Sequence, residues 1–503
     1  MTKNETTAFW SAVRDVFERN DFTADGVIAL LAPSGLAALD RGEPGAVRRR
    51  CREAGPLGLL IRYFMLGDAV PADDIARVLA PIDTGDLLSN GLLERGTAGL
   101  AESLVDVRPL DAGHGNRWIV SDFDATMRIR ELSPDHVLGV GAASLSLLRA
   151  TPTEPVGRVL DLGTGCGIQA VHAATYANSV TATDVSPRAL RLAAATFALN
   201  GIDADLREGS WFEPVAGEEY DQVVANPPFV VSGPAVELTY RDSGLVLDDA
   251  SALVIRSSLE HLAVGGTAAL LASWVHQDGQ DWRTRVASWL PDTGVDAWFV
   301  QRDVADKEFY VSTWLRDTDV DLRTPAGTAR QEKWLEHLDR AGVDAIGFGF
   351  VFLRRTTAPS DILCEDLLHE FGDPLGTEAS SYLRRVAWLR DNDVRAARLC
   401  LNPHSALEQV SSPGENGWEH VVTRIHRTEG PRWQHEIDDL AARLLAGLRP
   451  DGLPFADVIS LLAATTDEPA DELLTRGTAL IEGLIRHGVV LPAGLCDADE
   501  GPR

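Results

Sequence analysis

Between residues 131 and 357, short apolar runs alternate with helical patterns, and this alternation constrains the chain more than any other feature. "GRVLDLG" is followed by "PRALRLAAATFALN", then "YDQVVANPP", "SALVIRSSLEHLA" and "GTAALLASW". Strands this apolar have no wet face, and a helix follows each of them. The pattern implies a doubly wound, Rossmann-like parallel sheet with helices on both sides, an α/β core. Two late runs, "VDAWFVQRD" and "AIGFGFVFLRR", read as a closing strand pair.

Three short stretches within this core carry chemistry. "VLDLGTGCGIQAVHAA" places Gly163, Gly165 and Gly167 between a strand and a helix, with Asp161 just before them. Glycine lets the backbone turn tightly and approach a ligand. The spacing is G-x-G-x-G, not the G-x-G-x-x-G of dinucleotide folds. Roughly 20 residues on, "VTATDVSPRAL" presents Asp184 at the end of the next strand, where a Rossmann-like sheet sets a carboxylate against ribose hydroxyls. Ser186 is placed to cap the following helix, Pro187 suits its first turn, and Asn200-Gly201 suits its end. A glycine turn and a capping acid without a ligand would explain each piece alone. The order strand, loop, helix, strand, acid points to a cofactor site. The third stretch, "VVANPPFV", ends a buried strand in Asn226, Pro227, Pro228 and Phe229. Proline has no N–H and a locked φ, so this is a stiff arm holding one amide and one aromatic ring at its tip.

Together, "VLDLGTGCG…TATD…NPPF" resembles the class I S-adenosylmethionine-dependent methyltransferases. The Asn-Pro-Pro-aromatic motif narrows the resemblance to enzymes that methylate a planar nitrogen: adenine-N6, guanine-N2 or glutamine-N5. The resemblance implies S-adenosylmethionine as cofactor. Asp161, Gly163, Thr164, Gly165 and Gly167 would line its amino-acid end, and Asp184 with Val185 would hold the ribose end. Ser210 and Trp211 of "EGSWFEPV" are candidates beside the adenine, although Trp211 could equally be core. Asn226 would meet both cofactor and acceptor. A planar nitrogen is a poor nucleophile, because its lone pair is delocalised. Asn226 Oδ1 and the Pro227 carbonyl could each accept one N–H and aim that lone pair at the sulfonium methyl, while Phe229 stacks on the acceptor plane. No metal is called for.

The acceptor itself is read from the flanks of the motif. "GSWFEPVAGEEYDQVVANPPF" and "YRDSGLVLDDASALV" resemble release-factor glutamine methyltransferases, which favours glutamine-N5 of a protein. Those enzymes usually carry tyrosine after Asn-Pro-Pro. Phe229 is commoner in ribosomal-RNA guanine-N2 enzymes, so an RNA base, of rRNA or tRNA, is the alternative. A small-molecule acceptor fits the motif less well, and a non-enzymatic binding module least.

Outside the core, residues 1–105 read as a mostly helical, winged-helix-like domain, 106–130 as a strand-rich connector, and 358–503 as an α+β domain with a winged-helix-like end. "DGLPFADVISLLA" weakly echoes "GDAVPADDIARVLA" of the N-terminal part. Pro71 suits a first helical turn there. The formal net charge of −29 opposes long-range attraction to a phosphate backbone. The dense basic run Arg48, Arg49, Arg50, Arg52 reads as a solvated helix face, with an RNA contact as the alternative. No apolar run approaches the ~20 residues that span a bilayer. Five cysteines, an odd number without paired spacing, argue against a disulfide framework or a zinc cluster. A cytoplasmic protein without membrane contact is expected. The segment "SPDHVLGVGAASLSLL" before the glycine loop is expected to cap the cofactor pocket; His136 in it is expected to pack, with facing the ligand as the alternative, and His172 is given no role.

Overall fold

The structure, a computed structural model, describes residues 3–111, 115–123, 133, 135–228, 230–231, 245–317, 320–372, 374–466 and 468–496. It divides into two compact units, Met1–Leu148 with Thr153–Asp366, and Arg149–Pro152 with Leu367–Arg503.

The first unit is built on one eight-stranded sheet. Its strands are β1 (Val156–Leu162), β2 (Ala177–Asp184), β3 (Asp205–Glu208), β4 (Tyr220–Ala225), β5 (Leu262–Gln277), β6 (Thr293–Asp306), β7 (Val343–Pro359) and β8 (Asp361–Asp366). They lie in the order β8-β6-β7-β5-β4-β1-β2-β3. All neighbours are parallel except β7, which runs antiparallel to both β5 and β6. This is the Rossmann-like sheet expected, with β6 and β7 as the closing pair. Strand order reverses between β1 and β4, so the carboxyl ends of β1, β2 and β4 open onto one crevice. The glycines of "AIGFGF" are there for Trp274 on β5. Gly347 sits opposite it in register, and a Cβ on Gly347 would come 2.5 Å from the indole nitrogen. That nitrogen donates instead to Gln301 Oε1 at 2.8 Å.

The expected domain end at residue 357 falls inside β7. The sheet closes at Asp366, because β8 adds to β6 in parallel. The connector is a two-stranded antiparallel hairpin, Asp106–Asp111 with Asn116–Ser121. It is stitched to the helix Pro187–Asn200: Asn200 Oδ1 accepts from Trp118 N at 3.0 Å, and Thr196 Oγ1 accepts from Val120 N at 3.0 Å. Trp118 is buried and donates to the Phe22 carbonyl at 2.7 Å, which ties in the N-terminal helices. Those helices surround a small antiparallel sheet of Val70–Pro71, Leu100–Glu102 and Glu94–Arg95. Pro71 stands one residue outside the helix Ala72–Leu79, as its N-cap, not in its first turn. Part of the arginine run is internally engaged. Arg48 and Arg62 grip Asp68 at 2.8 and 2.9 Å, and Arg50 donates to Ser34 Oγ at 2.9 Å. Among the described residues no single helix is long and apolar enough to cross a membrane.

The second unit opens with the helix Leu375–Asp391 and has two small antiparallel sheets. β9 (Leu399–Leu401) pairs with β13 (Val490–Pro492), and β11 (Gly417–Arg427) lies between β10 (Ser405–Gly414) and β12 (Gln434–Ile437). The helices Asp439–Gly447, Phe455–Ala463 and Ala470–Arg486 cover a core of Leu445, Phe455, Ile459, Ile481 and Ile485. The expected α+β character is present. The weak echo has a local counterpart: in each case a proline caps a short helix, a second helix follows, and a strand ends the stretch. The cysteine reading needs one correction. Cys400 and Cys496, 96 positions apart, form a disulfide. Cys400 lies on β9 and Cys496 just beyond β13, so strand pairing joins what no local spacing announces.

Candidate functional site

The crevice at the ends of β1, β2 and β4 is a cavity of about 630 Å³. Such a volume is in the ordinary range for a small-molecule or cofactor site. Its floor is the glycine loop. After β1 the chain turns through positive φ at Gly163 (70°), Gly165 (55°) and Gly167 (88°), the left-handed region that disfavours side chains. Asp161 braces this turn from beneath: its Oδ2 accepts from Thr164 Oγ1 at 2.6 Å and from Ala170 N at 3.0 Å. Thr164 N donates to the Thr183 carbonyl at 2.9 Å, fastening the loop to β2. Burial pushes the Asp161 carboxyl up to about 7, against the pull of the Thr164 and Ala170 bonds.

Asp184 stands at the end of β2. Its Oδ2 accepts from Gly165 N at 2.9 Å and its Oδ1 from Ser186 N at 2.8 Å, so it orders two loops at once. Burial raises its pKa, and these backbone bonds oppose the rise. Ser186 then caps the next helix through Ala189 N, with Pro187 in the first turn and Gly201 in the left-handed C-cap, as the residues implied.

The cavity brings together Asp161, Gly163, Thr164, Gly165, Asp184, Val185, Ser210, Trp211, Asn226 and Pro227. Of the expected residues, Gly167 is not among those lining it. A Cβ there would sit 2.7 Å from the Phe197 ring. Trp211 lines the cavity and packs against the core cluster that includes Leu160 and Val223. Its φ of 49° is unusual for a bulky side chain and occurs at the cavity wall. Phe229 lies outside the described residues. Pro228 and Val230 on either side of it both line the cavity. His172 packs edge-on against Tyr176, away from the cavity lining.

Several lining residues were not anticipated. Asp106, Arg108 and Asp122 come from the hairpin, which the sequence reading placed in the connector outside the core. Asp122 holds the Arg188 guanidinium in a two-pronged ion pair and accepts from Val137 N at 2.9 Å. It thereby fastens the segment 136–144 over the cavity. His136, for which packing was expected and facing a ligand was the alternative, is buried, lines the cavity and lies 3.7 Å from Asp122. Trp314 enters from a helix between β6 and β7. An acid near a strand end was a visible signal for Asp122. Nothing local couples it to Arg188, 66 positions away.

Residues 138–272 match the family described as Methyltransferase small domain. Residues 19–103 and 380–492 match two families described only as domains of unknown function, DUF7059 and DUF7782. Among curated proteins, the chain is 32% identical over 137 residues to the Ribosomal RNA small subunit methyltransferase C of Salmonella arizonae. It is 31% identical over 137 residues to the protein of the same name in Escherichia coli. Each alignment covers 27% of this chain, and the chain spans only 36% of the length of these relatives. Among solved structures, the T. thermophilus 16S rRNA N2 methyltransferase in complex with AdoMet and guanosine aligns over 44% of this chain and 58% of its own. That alignment has 15% identity and a TM-score of 0.27. An rRNA methylase from Streptococcus thermophilus aligns over 43% of this chain and 95% of its own, at 16% identity and a TM-score of 0.24.

Proposed function

We propose that this chain is a class I S-adenosylmethionine-dependent N-methyltransferase whose acceptor is the exocyclic amine of an RNA base, guanine-N2 foremost. The observation that carries this is the meeting of two motifs in one cavity. The glycine loop with Asp184 forms one side, and Asn226-Pro227-Pro228 forms another. The methyltransferase small domain spans both motifs. The residues present fit the cofactor: a glycine turn that admits close backbone approach, a carboxylate at the end of β2 for ribose hydroxyls, and room for a ligand of that size.

When bound, S-adenosylmethionine supplies a methyl group already activated by its sulfonium. The protein's task is then orientation. Asn226 Oδ1 and the Pro227 carbonyl each accept an N–H of the amine, which turns its lone pair toward the methyl and favours positive charge building on nitrogen. The two prolines hold these acceptors without backbone freedom, so little is lost to ordering when the acceptor arrives. Neither carbonyl oxygen is basic enough to keep a proton, so the proton leaves to water.

Glutamine-N5 of a protein, favoured from the motif's flanks, shares this geometry. The RNA reading is preferred because the curated relatives matched over 137 residues of this core carry ribosomal RNA methyltransferase names. Incubation with methyl-labelled cofactor and either small-subunit rRNA, tRNA or release factor decides the acceptor. Label is expected on RNA; label on the release factor alone would restore the protein reading. Asn226→Ala should fold, bind cofactor normally and lose about a hundredfold or more in single-turnover rate. A loss under threefold would remove Asn226 from the chemistry.

A further inference from the structure

We propose that Trp314 is a stacking platform for the acceptor base, held in place by Tyr310. This rests on the RNA-base reading above. Strands β6 and β7 are antiparallel neighbours whose pairing runs to Asp306 opposite Ala345. A hairpin turn of about two to five residues would join them. Residues 307–342 instead build the helices Lys307–Asp317 and Pro325–Arg340. A long connection that stays folded on a compact core commonly serves a site.

The first of these helices is fastened to the segment that carries Asn-Pro-Pro. Tyr310 is buried at 2% exposure, and its ring stacks on Phe348 at 5.8 Å and meets Trp334 edge-on at 6.2 Å. Its hydroxyl oxygen accepts from Val231 N at 2.7 Å, five residues beyond Asn226. Trp314 lies four positions after Tyr310, on the same helix face, with its ring 6.2 Å from the tyrosine. It is half-buried and lines the cavity beside Pro227, Pro228 and Val230.

The two tryptophans of the cavity belong to different clusters. Trp211 packs against the cluster that holds Leu160 and Val223, whereas Trp314 packs against the one that holds Val230, Val231 and Tyr310. Trp314 is therefore on the acceptor side. An indole face suits a purine, since every base has a π surface, and it does little for a small glutamine amide. Stacking also fixes the plane of the base, which the lone-pair geometry at Asn226 requires. On a chain of net charge −29 it holds an RNA base without relying on the long-range field.

The test compares Trp314→Ala, Trp314→Leu and Trp314→Phe. Alanine and leucine should raise the KM for acceptor RNA about 10- to 100-fold, the range for losing one stacked base. Phenylalanine, which keeps a π face, should stay within about fivefold of wild type. The Kd for S-adenosylmethionine should stay within about twofold in all three, because Trp314 is off the cofactor side. Guanosine monophosphate, added with the demethylated cofactor present, should quench wild-type tryptophan fluorescence and lose that quench in Trp314→Phe. An unchanged KM in both the alanine and leucine variants, or an equal quench in Trp314→Phe, overturns the proposal. Methyl transfer to a release factor and to no RNA would sink the acceptor reading; a quench lost in Trp314→Phe would still support Trp314 as a base platform.

Discussion

Two buried carboxylates, one in each unit, solve opposite problems. Asp161, under the glycine loop, is 1% exposed and is held only by a hydroxyl and a backbone N–H. Burial therefore wins, and its pKa rises to about 7. Glu378, in the helix Leu375–Asp391, is 6% exposed and lies between two arginines, donors to its Oε1 (Arg385) and Oε2 (Arg427). Burial pushes its pKa up too, but the charges of Arg385 and Arg427 outweigh it and the pKa falls. Arg385 also donates to the Arg486 carbonyl at 3.0 Å, so the group ties the helix Leu375–Asp391 to β11 and to the end of the helix Ala470–Arg486. An acid surrounded by cations is a cross-link. An acid braced by backbone donors beside a cavity shapes a binding loop, and it bears a desolvation cost that a purely structural position would shed.

The hardest blow to this contrast is Glu378→Ala. Two guanidinium groups would lose their shared acid in a buried place, at a cost of about 3–5 kcal/mol in stability. Cofactor affinity per folded molecule should be unchanged within about twofold. Urea unfolding together with calorimetry checks both halves, and a loss under about 1 kcal/mol would mean that Glu378 is no cross-link. Next is Asp184→Ala. It should weaken S-adenosylmethionine binding by about 1.5–3 kcal/mol, the scale of a charge-assisted hydrogen bond lost with its loop contacts. Unchanged affinity in calorimetry would sever the acid from the cofactor.

The pH dependence is the sharpest test in sign. Asp161 has a folded pKa raised from 3.8 to about 7, so its neutral form favours the fold. That stability is full below about pH 4 and is lost as pH rises toward 7. Glu378 has a folded pKa lowered from 4.5, so its contribution is full above that value and is lost as pH falls through the folded one. Relative to Asp161→Asn, the wild type should lose stability steadily between pH 4 and 8. Relative to Glu378→Gln, it should gain over the acid end of the same range. Unfolding curves for the two pairs that slope the same way would break the comparison.

Much of the cavity was legible because its signals are local. Asp161, the glycines and Asp184 lie within one strand–loop–helix–strand unit, and the conformations they need leave marks in residue type: glycine at positive φ, an acid at a strand end, serine and proline at a helix start. Asn-Pro-Pro is legible for the same reason, as its stiffness is in its own backbone. What was missed is long-range. Asp122 meets Arg188 across 66 positions, and Val231 meets Tyr310 across 79. The Cys400–Cys496 disulfide spans 96, and the end of the sheet at Asp366 depends on β8 finding β6. The expected place of Gly167 beside the cofactor followed from the family resemblance. Besides its left-handed φ, Gly167 is constrained by Phe197, thirty residues on along the helix that crosses it.

The amino-acid sequence by itself determined the Rossmann-like class of the core, the glycine turn at the cavity, and the rigid arm that carries Asn226, because periodicity and backbone preference act over a few residues. Only the tertiary structure decided which surfaces close around that arm. The hairpin with the adjoining Asp122 and the inserted helix with Trp314 reach the cavity through packing and ion pairs whose partners lie far apart in the chain. A contact of that kind depends on the shape that all the other contacts make, and no short stretch of residues records it.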